Sequence, residues 1–260
     1  MVDPIPAEIA RGNNVVAGSK PAAATDPRWG AQHREAKAAA ILQTLRHFAT
    51  SDPARGDWLD MGCGSGGIAA WLADHVDTIT GVDPEPWERW QAFRESHPNL
   101  RFVHATAEES SLPDQSVDVV ICNQVYEHVN EPQRLISEIR RVLRPGGYCY
   151  FAGPNLLFPI EPHVFWPFVH WLPRQVARGL MKTLGAKNLV DANSKDYWTL
   201  KRWLGEFEIM DAVSYILRNP AVYGRTGVLW RLLARVPATV LDALSVFSPG
   251  FVFVLRMPRL

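Results

Sequence analysis

Ten residues, Trp58 to Gly67, written WLDMGCGSGG, constrain this chain more than any other stretch of its 260 residues. Trp58, Leu59 and Met61 read as a short buried strand, Gly62, Gly64, Gly66 and Gly67 as a tight turn, and Ile68 to His75 as the helix that leaves it. Glycine reaches positive φ without strain and carries no Cβ to hold a ligand away from the backbone. The first turn of a helix presents unpaired N–H groups that suit an anion. A nucleotide-like ligand is therefore expected at this turn.

The flanking sequence says what kind of sheet the strand joins. Ala36, Ala40, Ile41, Leu45 and Phe48 recur at helical spacing and predict an amphipathic helix over residues 31 to 49, fit to pack beside the ligand cleft. Past the turn, strands are expected at 78–82, 101–104, 116–122 and 148–152, with helices from Pro84 and Pro86 to about His97 and from Glu131-Pro132 to about Leu143. The run SVDVVIC at 116–122 is nearly continuous in apolar character, as suits a parallel strand covered on both faces. Strand and helix in alternation predict an α/β fold with a doubly wound, mostly parallel sheet. The pattern breaks after Asn155. Residues 156 to 195 read as an aromatic, helical insert on the substrate side, 207–217 and 251–256 as the last strands, and 219–248 as a helical insert between them. Residues 1 to 28 read as a flexible arm ahead of a single domain over 29–260.

Charge and cysteine content narrow the function classes. Lys plus Arg and Asp plus Glu both total 27, so no overall field favours a nucleic acid. Cys63, Cys122 and Cys149 are widely spaced and form no C-x-x-C pair, which predicts reduced thiols and an intracellular, cytoplasmic protein. No spacing of His, Cys or carboxylates predicts a metal site. No apolar run reaches the roughly 18 residues of a membrane span, and MVDPIPAEIA lacks the basic start and apolar run of a signal peptide.

Gly62, Gly64 and Gly67 satisfy G-x-G-x-x-G, and Asp83 ends the second strand, so a dinucleotide remains formally available. Asp60 argues otherwise. A carboxylate two residues before the first glycine opposes a pyrophosphate and suits a cationic amine, whereas Asp83 can accept from the ribose hydroxyls of any nucleoside ligand or simply cap the helix after it. The runs LDMGCGSGG, TGVDPE, TAEESSLPDQSVDVVICNQVYEHV and RVLRPGGYCYFAGPN, in this order over residues 56 to 155, resemble the class I, seven-stranded Rossmann-like S-adenosylmethionine-dependent methyltransferases. They are most similar to the group that contains the ubiquinone- and menaquinone-pathway enzymes. The resemblance implies an antiparallel edge formed by the sixth and seventh strands and S-adenosylmethionine as cofactor. It puts Asp60 and Gly62 near the amino-acid part, Asp83 at the ribose, Ala107 and Glu108 near the adenine and Asn123 under the cofactor; Cys63, Gly64, Gly66 and Pro84 complete the expected set. Thr106 departs from the pattern, since many relatives place an Asp there.

A sulfonium methyl is already activated, so positioning dominates the chemistry, and a hydroxyl acceptor adds the need for a base. His128, in the Glu127-His128 pair after the fourth strand, and His163, inside the insert, are the two candidates, His170 a weaker third. His128 suits orienting its loop as well as it suits a base. The insert mixes Phe158, Phe165, Trp166, Phe168 and Trp171 with Arg174, Arg178 and Lys182. That mixture suits a sugar platform, a lid over a lipidic acceptor or a surface peripheral to a membrane. The expectation is O-methylation of a bulky, partly apolar acceptor: a glycan, a glycolipid, a quinone-like molecule or a lipid-linked one. An NAD-dependent oxidoreductase and a non-catalytic cofactor-binding module are the competing readings, and the oligomeric state has no sequence signal.

Overall fold

A computed structural model of the protein describes residues 31–161, 164–186 and 193–259. The expected N-terminal arm lies outside them, as does His163. The described residues run in the order α1 (Ala31–Phe48), β1 (Asp57–Met61), α2 (Gly67–Ala73), β2 (Thr78–Asp83), α3 (Arg89–Ser96), β3 (Leu100–His104), β4 (Val117–Asn123), α4 (Pro132–Val142), β5 (Leu143–Pro154), α5 (Arg174–Thr183), α6 (Tyr197–Trp203), β6 (Glu208–Asp211), α7 (Val213–Arg218), α8 (Val228–Leu233), α9 (Ala238–Ser245) and β7 (Gly250–Arg256). The strands form one seven-stranded sheet in the order β3-β2-β1-β4-β5-β7-β6. All neighbours are parallel except β7, which runs antiparallel to β5 and to the edge strand β6.

Alternation along each strand divides the core into two layers. Leu59, Met61, Val120, Cys122 and Phe151 face one side, where α4 supplies Leu135, Ile136 and Ile139 and α6 supplies Leu200. Trp58, Ile79, Val119, Ile121 and Tyr150 face the other, against Ala38, Ile41, Leu42 and Leu45 of α1 and Ala69, Ala70 and Leu72 of α2. Both faces are covered, which is why the central strands tolerate no polar alternation. Asp60 is the exception and falls on the α1 side with Trp58.

Four boundaries differ from the sequence expectation, each for a local reason. The helix expected from Pro84 begins only at Arg89. Asp83 Oδ1 accepts the Glu85 N–H at 3.0 Å, and Glu85, which precedes Pro86, is driven from the α region. The expected strand 207–217 stops at Asp211, whose Oδ1 accepts the Val213 N–H at 2.9 Å and starts α7. The helical insert expected at 219–248 divides into α8 and α9, with Pro237 at the N-cap of the second. The fifth strand, expected at 148–152, begins at Leu143, with a register shift against β4. Gly147 permits this because a Cβ there would lie 2.8 Å from the Asp118 carbonyl oxygen. The helix α6 lay in no sequence expectation, although Asp196 caps it by accepting from the Trp198 and Thr199 N–H groups at 3.1 and 3.0 Å.

Candidate functional site

The strand order reverses direction between β1 and β4, and ligands of open α/β sheets bind at the carboxyl ends of strands beside such a reversal. Asp60, the glycine turn, Asp83 and Asn123 all lie at that edge, on the ends of β1, β2 and β4.

The turn is closed mainly on itself. Gly62 and Cys63 donate their N–H groups to the Val82 carbonyl at 2.8 and 3.0 Å, and Gly66 donates to Cys63 O at 3.0 Å. Gly64 donates to Asp83 Oδ2 at 2.8 Å. Four donors of the turn itself are thus committed inside the protein, which leaves the first-turn N–H groups of α2, Gly67 to Ala69, as the ones an anion could use. Below the turn, Trp90 Nε1 donates to Gly64 O at 2.9 Å, and its ring stacks on Phe102 at 4.7 Å. Gly66, at φ 82°, passes so close that a Cβ would sit 2.6 Å from the Phe102 ring. Gly64, at φ 52°, faces the other way, where a Cβ would meet no atom within 4 Å.

Asp60 is 3% exposed, and its Oδ2 has no hydrogen-bond partner. Burial first, and then the neighbouring Asp83 carboxylate, push its pKa up to about 7, against the pull of Arg34. Arg34 comes from α1 and donates to Ser65 Oγ. Lys37, one turn along, has its pKa lowered by burial while Glu127 acts to raise it. So α1 carries two cations on the face that packs on the sheet, each within electrostatic reach of a buried carboxylate. The sequence reading saw the helix and missed both residues. Their signal was present: Arg34 and Lys37 share the helical stripe of Ala38, Ile41 and Leu45.

The other expected residues fall as follows. Pro84 is exposed, and its carbonyl lies 2.8 Å from His104 Nε2. Ala107 is buried and Glu108 half-buried on a loop held by Glu138, whose Oε1 accepts from Ser110 N–H at 2.8 Å and Ser110 Oγ at 2.5 Å. Asn123 is half-buried beside Ala152 of β5. Burial and the carboxylates of Asp60 and Asp83 push the Cys63 thiol far up, so it holds its proton. His128 is half-exposed, with Nε2 3.8 Å from Oε1 of the buried Glu127. Asn193 donates its N–H to the Glu127 carbonyl at 2.8 Å, and the Tyr126 hydroxyl donates to Pro154 O at 2.5 Å and accepts from the Lys195 N–H at 3.0 Å. The His128 loop is thus bonded to both roots of the insert. His170 is committed elsewhere, because Nε2 faces only carbonyl oxygens, Leu156 O at 3.1 Å and Phe158 O at 2.8 Å, and must donate. Among the described residues no group of three or more His, Cys, Asp or Glu could hold a metal, and no helix is long and apolar enough to cross a membrane.

Comparison with known proteins adds a sequence match to this geometry. Residues 59–151 match the family model described as a methyltransferase domain. A Mycolicibacterium smegmatis protein named "Probable S-adenosylmethionine-dependent methyltransferase" is 35% identical over 136 residues, 52% of this chain and 49% of that protein. The ubiquinone biosynthesis O-methyltransferase of Vibrio atlanticus is 35% identical over 105 residues, 38% of this chain and 44% of the enzyme. The chain thus spans about half the length of the curated relatives it matches. Among solved structures, the PH0226 protein of Pyrococcus horikoshii superposes with a TM-score of 0.55 at 19% identity, covering 84% of this chain and 90% of that one. The [4+2]-cyclase SpnF superposes with a TM-score of 0.52 at 17% identity, covering 85% and 82%. These two share the fold; SpnF is named for a cyclisation, so the fold alone assigns no reaction.

Proposed function

From the premise that residues 59–151 form a class I S-adenosylmethionine-dependent methyltransferase domain, we propose that this chain transfers a methyl group to oxygen on a bulky, partly apolar acceptor. One observation carries the reading: a buried carboxylate oxygen without a partner stands beside a glycine turn whose own donors are largely spent. A pyrophosphate would find a negative charge there. An ammonium group would find the acceptor that Asp60 Oδ2 provides.

The residues present fit the cofactor of such a domain. Asp60 would hold the amino group, Gly64 would leave room for the chain of the ligand, and Asp83 would receive the ribose. Ala107 and Glu108 would border the adenine, and Asn123 would lie under the cofactor. When bound, S-adenosylmethionine supplies an activated methyl on sulfur. The protein's part is to fix the acceptor in line with it and to keep water out. His128 Nε2 takes the hydroxyl proton of the acceptor, and the Glu127 carboxylate at 3.8 Å favours the resulting imidazolium. The insert over 156–195, with its exposed aromatic residues, supports an acceptor of mixed character.

Incubation of the full chain with methyl-labelled S-adenosylmethionine and a panel of phenolic, glycan and glycolipid acceptors tests the reading. Label in an ether product and stoichiometric S-adenosylhomocysteine are expected. Tight cofactor binding without transfer to any member of the panel counts against catalysis.

A further inference from the structure

The two segments added to the sheet expose apolar side chains at the edge that carries the site. The first leaves β5 at Pro154, the second leaves β6 at Asp211 and returns into β7 at Gly250, which pairs with Pro154. Their roots are bonded together: Asn155 Nδ2 donates to Val246 O at 2.7 Å and to Ser248 O at 3.1 Å. Both segments therefore stand at the carboxyl edge of the sheet.

On the first, Phe165, Phe168, Trp171, Val176, Leu180 and Leu184 are 44 to 61% exposed. Helix α5 buries only Ala177 and Met181, and leaves Val176 and Leu180 outside on one flank with Arg174, Arg178 and Lys182 on the other. On the second, α8 buries no residue at all and exposes Val228, Leu229 and Leu232, while α9 and its end expose Val240, Leu244 and Phe247. An apolar helix with no buried face does not pay for its order in water.

Charge indicates what covers these faces. Residues 156–195 hold Arg174, Arg178, Lys182, Lys187 and Lys195 against Glu161 and Asp191, and residues 212–249 hold Arg218, Arg225, Arg231 and Arg235 against Asp242 alone. The chain as a whole holds 27 of each sign, so the two segments concentrate positive charge where apolar side chains are exposed. Backbone conformation adds a separate sign. Phe165 and Phe168 sit at φ 57° and 60°, a left-handed conformation that costs a bulky residue about 1 kcal/mol or more. Asn or Gly would avoid that cost. Phenylalanine at two such positions, each more than half exposed even though Phe168 packs on Trp171 at 4.9 Å, needs a surrounding that rewards the ring.

We propose that this edge docks on an anionic lipid bilayer, with the aromatic and aliphatic residues of 164–184 and 228–247 entering the headgroup boundary and the basic residues meeting lipid phosphates. Docking would present the site to an acceptor embedded in or carried on the membrane. That consequence rests on the methyl-transfer reading; the docking itself does not.

The test is co-sedimentation of the full chain with vesicles of phosphatidylcholine alone or with 30 mol% phosphatidylglycerol. Binding to the anionic vesicles, weakened by salt, is expected, with little on the neutral ones. In the variant Phe165→Asn/Phe168→Asn, partitioning falls by about tenfold or more, while thermal stability is kept or raised because left-handed strain is relieved. Leu180→Ser/Leu184→Ser, which leaves the backbone alone, lowers partitioning by a similar factor. Calorimetry with S-adenosylmethionine on the same samples reads the cofactor site separately and stays unchanged in all variants. No sedimentation, or equal sedimentation with neutral vesicles, overturns the proposal. So does a dimer in light scattering that these substitutions dissociate, which would assign the faces to a second copy, or a large loss of stability in the Phe variants, which would make the rings part of the core.

Discussion

Replacing Asp60 with Asn is expected to stabilise the free protein while crippling its cofactor site, an opposition that follows from the carboxylate's burial. The folded pKa of Asp60 is raised from 3.8 to about 7. Below pH 4 the group is protonated in folded and unfolded chains alike and contributes no difference. Between about 4 and 7 the folded protein keeps a proton that the unfolded chain has lost, so stability falls with rising pH; above 7 the full penalty applies. At 1.36 kcal/mol per unit, that penalty is about 4 kcal/mol. Asn removes it but leaves an amide in the same dry place, at a cost of about 1–3 kcal/mol. Asp60→Asn should therefore raise the melting temperature at pH 8 and raise it less, or lower it, at pH 5. Binding runs the opposite way. If only the ionised carboxylate accepts the ligand's ammonium group, the wild-type affinity for S-adenosylmethionine rises about fifteenfold between pH 5.5 and 7. The Asn variant should bind weakly and without that slope. Calorimetry across this range, with differential scanning of the free proteins, reads both halves. An equal pH slope in the variant, or a variant less stable than wild type at pH 8, would refute the reasoning.

Other substitutions separate the parts of the site. Gly64→Ala should cost about 1 kcal/mol in stability from its left-handed φ, and weaken cofactor binding because the new methyl enters the ligand's space; unchanged affinity in titration would mean the turn faces elsewhere. His128→Ala should lower turnover by about a hundredfold or more and leave the cofactor dissociation constant within twofold; turnover that holds steady removes the base. Glu138→Ala should destabilise by about 2–3 kcal/mol, because it strips Ser110 and Arg141 of their acceptor, and loosen the loop of Ala107 and Glu108. Burial raises the Glu138 pKa, but hydrogen bonds from Arg141 and Ser110 outweigh it and hold it low. Its contribution is thus present above about pH 4.5 and lost as acid reaches that lowered pKa, which urea titrations in wild type and variant at pH 7 and pH 3 would resolve.

The core of the fold was legible because its signals are local. A buried strand, a glycine turn and a helix follow one another within WLDMGCGSGG, and Asp60 could be picked out because a carboxylate in an apolar strand contradicts its surroundings. The errors arose where a side chain redirects the backbone. Asp211 ends β6 by capping α7, and Asp83 with Pro86 delays α3, neither of which disturbs the apolar pattern around it. Arg34 and Lys37 were missed for another reason: long cationic side chains on a helix read as its wet face, and only the packing of α1 on the sheet turns them toward buried acids. The insert resisted for want of periodicity, since Phe165 and Phe168 adopt left-handed conformations that their residue type does not announce.

The most direct test of the central claim is calorimetric titration of the full chain at pH 7.5 with S-adenosylmethionine and, separately, with NADH. One-to-one binding of S-adenosylmethionine, lost in Asp60→Asn, with no heat from NADH, is the predicted result. Binding of NADH without S-adenosylmethionine would contradict it, because a pyrophosphate would then sit beside the Asp60 carboxylate that repels it.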